Sequence, residues 1–255
     1  MTLEVHRMLS GRSVFLLLLT ATACQTPAAT AVITQAARSS PLPASTATPS
    51  LAPVSPTAAI TATLAPAPRM FTEEFDAGAP YWLFMQAAGS QSTFDPEAAA
   101  GMLRLGLEAP NQWAYAVYEA PAYSDVRIDA GVEFGAGGRG AAGLICRYDQ
   151  AVGWYEFNIY ADQTYTLLFG QWLAEGIARY APLVTAQSEQ ISPTVNEISL
   201  VCEGDVLTPY INNVQMRRRQ ETVHVLAEGR LGVSAAAFEV APLAIAFDWI
   251  RVSEP

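Results

Sequence analysis

The stretch from Gly140 to Ala161, GAAGLICRYDQAVGWYEFNIYA, alternates with a period of two. Leu144, Cys146 and Tyr148 share one face of an extended chain, and Ile145, Arg147 and Asp149 share the other. Further on, Tyr155, Phe157 and Ile159 form an apolar face, and Trp154, Glu156, Asn158 and Tyr160 a mixed one. This spacing belongs to β-strands, and one apolar face per strand requires a sheet buried on one side. Asp149-Gln150-Ala151 lacks an Asn-Gly turn signal, so the two strands are expected to join through a longer hairpin loop. With both apolar faces turned to one core, Arg147 stands beside Trp154 and Glu156 on the outer face. A guanidinium, an indole, a carboxylate, an amide and a phenol then line up, and this row is the candidate functional surface.

The same pattern repeats across residues 70–255. Strands are expected near 70–75, 81–86, 101–108, 112–119, 124–134, 140–148, 152–160 and 163–170, then near 195–203, 206–212, 229–238 and 243–252. Gly, Asp and Asn separate them, and no stretch longer than about two turns has helical periodicity. Short strands at regular spacing predict an all-β antiparallel sandwich or barrel. A chain of that length buries roughly 70% of its unfolded surface and needs no partner to fold.

Composition narrows the chemistry. The chain has no lysine, which excludes Schiff-base catalysis. From residue 70 onward, 10 arginines face 23 carboxylates, a surface that repels phosphate backbones and excludes nucleic acid as a partner. His6 and His224 are the two histidines, so a His-rich zinc site is impossible, and no G-x-S-x-G elbow accompanies His224.

Residues 1–23 resemble a bacterial lipoprotein signal peptide. Arg7 and Arg12 precede the apolar run Val14–Leu19, which is too short to span a bilayer. Ala21-Thr22-Ala23-Cys24 resembles a lipobox, which implies lipidation of Cys24; the alternative is a secretory signal cleaved after Ala23. Residues 24–69 form an Ala/Thr/Pro/Ser-rich tether that, after Cys24, contains no acid, aromatic or glycine, and it is expected to be disordered. Proline biases it towards polyproline II, with a reach of at most roughly 140 Å. A lipid-anchored domain held off the outer face of a bacterial membrane, or at the cell surface, is the expected arrangement.

The segments MFTEEFD, SDVRIDAGVEF, GAAGLICRYD, GWYEFNIYA, NEISLVCEGDVLTPYINN and GRLGVSAAAF…LAIAFDWIRV occur in an order that resembles the concanavalin A-like lectin/glucanase superfamily. That is the two-sheet jelly roll of laminin G-like modules and family 16 glycoside hydrolases. The resemblance implies that the strand at 154–160 matches the E-x-D-x-x-E strand of family 16, whose outer glutamates are nucleophile and acid/base. Here Glu156 keeps the first glutamate, Asn158 stands for the aspartate and Ala161 for the second glutamate. Retaining hydrolysis needs two carboxyl groups about 5 to 5.5 Å apart. Only Asp162, one residue out of place, could substitute.

Three functions follow. A non-catalytic lectin-like domain binding extracellular carbohydrate would use Arg147, Trp154, Glu156, Asn158 and Tyr160, with Tyr210 and Asn212 outward on a neighbouring strand. A glycoside hydrolase would use Glu156. A structural or protein-binding domain would make the same row ordinary cross-strand pairs, Arg147 with Glu156 among them. The resemblance also implies a structural calcium at Asp248 in FDWIRV, with Glu73, Glu74 or Asp76 nearby; no other cofactor is expected. Arg217-Arg218-Arg219 reads as a solvated turn or a partner for nearby acids. With Cys24 lipidated, Cys146 and Cys202 remain on inward faces, as a disulfide or as two buried thiols.

Overall fold

The computed structural model describes residues 65–88, 94–135 and 140–255. The expected signal peptide, Cys24 and the expected tether up to residue 64 lie outside the described residues. The strands are, in chain order, β1 (Phe71–Glu73), β2 (Trp82–Ala88), β3 (Phe94–Ala99), β4 (Met102–Leu107), β5 (Gln112–Tyr118), β6 (Val126–Phe134), β7 (Gly140–Asp149) and β8 (Gly153–Tyr160). They continue as β9 (Thr164–Ala174), β10 (Ile177–Gln187), β11 (Val195–Glu203), β12 (Val206–Ile211), β13 (Val214–Gln215), β14 (Arg219–Gln220), β15 (Arg230–Ala237) and β16 (Leu243–Ser253).

They form two antiparallel sheets packed face to face. One runs β13-β12-β11-β6-β16-β4-β3, with β1 on β16 and β14 on β12; the other runs β10-β9-β8-β7-β15-β5-β2. The expected two-sheet jelly-roll sandwich is the architecture found. Alternate residues meet between the sheets: Val126, Ile128, Ala130 and Val132 from β6 face Tyr155, Phe157 and Ile159 from β8 within one buried cluster. The predicted disulfide is present between Cys146 on β7 and Cys202 on β11, with Cα atoms 6.8 Å apart, and it staples the sheets together. At the edge of the domain the incoming chain is tied down: Tyr118 donates to Pro68 O at 3.0 Å and Tyr123 to Arg69 O at 2.7 Å.

Two departures from the sequence reading shape the site. The first is a β-bulge at Arg147, which takes a left-handed φ of 52°. Cys146 pairs with Tyr155 and Asp149 with Gly153, so β7 spends one residue more than β8 across this interval. The extra residue inverts the alternation. Tyr148 therefore joins Ile145 and Trp154 in a second buried cluster on the outer face, not Leu144 and Cys146 in the main core. The second departure is the edge strand β10, together with β3 and the short β13 and β14. In β10 only Val184 is buried, and the register slips between Pro182 and Val184, so no clean alternation marks it.

Strand β10 closes the outer face of its own sheet. Tyr180 of β10 stacks on Trp113 of β5 with ring centroids 5.9 Å apart, and its hydroxyl meets that of Tyr115. Five strand spacings separate β10 from β5, about 24 Å in a flat sheet. The contact shows that the sheet is curled into a trough, and that aromatic side chains fill it.

Candidate functional site

Glu156 lies on the floor of that trough, 1% exposed. Its Oε2 accepts from Trp154 Nε1 at 2.8 Å, and its Oε1 accepts from Asn158 Nδ2 at 3.0 Å and Ser234 Oγ at 2.7 Å. Glycines make room for this packing. A Cβ on Gly170 would overlap the Trp154 indole, and one on Gly143 would overlap Asn158 and Ser234. Tyr115, Tyr148 and Trp172 surround Trp154 at centroid distances of 5.6, 5.6 and 5.3 Å. Burial pushes the Glu156 carboxyl above its ordinary range, and the donors Trp154, Ser234 and Asn158 offset this only in part. Burial, the Glu156 charge and Tyr180 push the Tyr115 hydroxyl well above the usual phenol range.

The predicted row therefore does not stand open on an outer face. Trp154, Glu156 and Asn158 do come together, but beneath a layer of rings. Arg147 is not with them. The bulge sends its guanidinium towards the sandwich edge, 3% exposed, where it donates to Ser124 O at 2.9 Å and Leu226 O at 2.7 Å and pairs with Asp125 at 3.3 Å. This corrects both its assignment as a ligand contact and the alternative pairing with Glu156. Tyr160 is half-buried, stacked on Phe238 at 5.6 Å and hydrogen-bonded to Thr166. Tyr210 and Asn212 belong to the other sheet, because β12 pairs with β11. Tyr210 lies under the Arg127 guanidinium, and Asn212, at φ 48°, accepts from Glu197 N and donates to Gln190 O to close a turn. Neither can act together with Trp154.

The second carboxylate of the hydrolase pattern is also out of reach. Ala161 packs on the main core, and Asp162 Oδ1 accepts from Thr164 N at 3.0 Å in the β8–β9 turn. Glu156 has an indole, an amide and a hydroxyl as partners, none able to serve as its acid/base counterpart. Asp248 is exposed at a bulge of β16, and among the described residues no group of three His, Cys, Asp or Glu side chains is gathered to hold a metal ion. Arg219, from the arginine run, pairs with Glu221 at 3.4 Å.

The trough opens at one end into a cleft of about 740 Å³ between β2, the β7–β8 loop and the β9–β10 hairpin. Trp172, Tyr148, Met85, Gln150 and Glu175 line it. Trp172 Nε1 donates to Tyr148 Oη at 3.0 Å, which fixes the indole as a platform before any ligand arrives. The sequence reading stops that strand at residue 170 and misses this site. The signal was there: Thr166, Leu168, Gly170 and Trp172 continue one alternation up to the Glu175-Gly176 turn, where Gly176 takes a φ of 69°.

No family model matches the chain, and no curated protein matches it. Solved structures do resemble it. A prokaryotic β-1,3-1,4-glucanase (lichenase) derived from a mouse hindgut metagenome aligns with 72% of this chain and 99% of its own, at 10% identity and a TM-score of 0.52. A glycoside hydrolase family 16 endo-glucanase from Bacteroides ovatus aligns with 72% of this chain and 99% of its own, at 10% identity and 0.51. A protein of unknown function with a galectin-like fold from Bacillus subtilis aligns with 72% of this chain and 94% of its own, at 10% identity and 0.52. At such identities the likeness speaks for architecture alone: the chain folds as a two-sheet antiparallel jelly roll.

Proposed function

We propose that the protein is a lipid-anchored bacterial surface protein whose jelly-roll domain binds carbohydrate at the Trp172 cleft without cleaving it. The observation that carries this reading is the cleft itself. The Trp172 indole, held by the buried Tyr148, offers flat apolar surface for the C–H face of a pyranose, and Gln150 and Glu175 offer amide and carboxylate groups for its hydroxyls. The volume of about 740 Å³ falls within the range of small-ligand sites. The jelly rolls that resemble the domain include glucanases, which supports a sugar-binding reading. Hydrolysis is disfavoured because Glu156 is sealed and has no second carboxyl group. The anchor rests on Ala21-Thr22-Ala23-Cys24 and the proline-rich tether.

Titration against a panel of neutral oligosaccharides tests the site. Trp172→Ala should weaken binding about fivefold or more, the scale of one lost aromatic stack. Failure of every glycan on an array to bind would sink the reading, and glycan turnover that disappears in Glu156→Gln would restore the hydrolase. Mass spectrometry of the native N-terminus should show an acylated Cys24; an unmodified one refutes the anchor.

A further inference from the structure

A second cavity, of about 500 Å³, lies on the outer face of the opposite sheet, over β6, β11 and β16. The bulge of β16 shapes it. Phe247 pairs with Val132 and Trp249 with Gly131, so Asp248 is an extra residue between them. Phe247 and Ile250 are buried in the core, and the bulge turns two consecutive residues, Asp248 and Trp249, outward together. The indole lies across Gly131: a Cβ there would come within 2.7 Å of Trp249 Nε1 and 3.2 Å of two ring carbons. On the far side of Gly131, its partner on β11 is Glu197, two strand spacings, about 10 Å, from Trp249. Glu133 stands two residues further along β6, beside Ala246 and on the Asp248 side of the ring. A half-exposed indole is thus bracketed by carboxylates at both ends.

Charge and spacing name the occupant. Among the described residues, none of these three carboxylates accepts a hydrogen bond or an ion pair, and no positive side chain lines the cavity. They are too dispersed to gather on one metal ion. The ring already attracts a cation from outside the cavity: the Arg251 guanidinium, paired with Asp129 at 3.5 Å, stands 5.4 Å from its centroid. We propose that this cavity binds an aliphatic diamine, with its methylenes on the Trp249 indole. One ammonium group meets Asp248 and Glu133, and the other meets Glu197. A polymethylene chain covers the apolar ring, and its two charges answer carboxylates set apart across it. Neither a metal ion nor a monoamine meets both demands.

Calorimetric titration of the whole chain tests this at pH 7, where both ammonium groups are charged, and at low salt. 1,4-Diaminobutane should bind at least fivefold more tightly than butylamine or Mg²⁺. Trp249→Ala should weaken the diamine at least threefold. Glu197→Gln, which keeps the size of the side chain, should bring the diamine to within twofold of butylamine, and it serves as the test if Trp249→Ala fails to fold. Trp172→Ala, on the opposite sheet, should leave diamine affinity within twofold. Equal binding of butylamine overturns the two-ended site. Equal binding of Mg²⁺ overturns it in favour of a diffuse acidic surface. Wild-type diamine affinity in Glu197→Gln, or a loss in Trp172→Ala, overturns its placement, and no binding of the diamine overturns it outright.

Discussion

Replacing Cys146 and Cys202 together by alanine removes the one covalent link between the two sheets among the described residues. The cysteines are 56 positions apart, so the bond closes a loop of about 57 residues. Chain-entropy scaling assigns such a loop about 14 cal/mol/K, or about 4 kcal/mol at 25 °C. For a domain of this size, each kcal/mol moves Tm by about 2–4 °C, so a drop of about 8–16 °C is expected. Both cysteines are fully buried, and the freed alanines leave a small void that adds to the loss. Urea denaturation followed by tryptophan fluorescence should show a lower midpoint and a steeper slope, because the uncrosslinked chain exposes more surface when unfolded. The reasoning fails if Tm falls by less than about 3 °C. It also fails if a reductant exposes two titratable thiols in the native protein and leaves Tm unchanged.

Three further outcomes follow from buried polar groups. The Glu156 carboxyl titrates above its ordinary 4.5, so its contribution to stability is full below that pH and declines as pH rises through the folded value; Glu156→Gln should remove that decline above pH 4.5, and an unchanged slope refutes the assignment. At Asp129 burial alone would raise the carboxyl, but hydrogen bonds from Arg127 and Ser199 hold it below 3.8. Its contribution is therefore present above that value and lost as pH falls through the folded one, so Asp129→Asn should cost about 2–3 kcal/mol at pH 7 and reduce the fall in stability towards pH 2. Arg147→Met should cost about 2 kcal/mol, chiefly by stranding the buried carbonyl of Leu226, with no change in sugar affinity; weakened sugar binding in a folded variant would return Arg147 to the ligand site.

Much of the fold was legible because a strand buried on one face writes a period of two into its residues. β6, β8, β11 and β16 were readable for that reason, and so were the inward cysteines. What escaped was whatever breaks the period or hides a strand's exposure. A single left-handed residue at Arg147 reversed the faces of β7 from there to its end, moving Tyr148 but not Leu144, Ile145 or Cys146, and nothing in CRYD announces it. β10 was missed because an edge strand with Pro182 and one buried residue carries no such signal. The site suffered most from a different ambiguity. Alternation tells which residues share the outer face, but not whether that face is open. Trp154, Glu156 and Asn158 were grouped correctly, yet the rings packed on Trp154 come from β5, β7, β9 and β10, and those of β5 and β10 reach it only through the curl. Tyr210 and Asn212 were read as neighbours of that face because sequence does not say which sheet receives β12.

The nesting of aromatic rings in the trough also gives the domain a built-in optical reporter. Trp154 and Trp172 lie 5.3 Å apart and inclined at 43°, close enough for their transitions to couple into a split near-ultraviolet circular dichroism band. The two differ in their surroundings, since Trp154 is fully buried and Trp172 borders the cleft. Their emission should separate into a blue component insensitive to soluble quenchers and a redder one that iodide or acrylamide reaches. With Trp113 and Trp249, the other partly exposed indoles, replaced by phenylalanine, a ligand seated in the cleft would shield the second and leave the first unaltered, so occupancy can be followed by light without attaching any label.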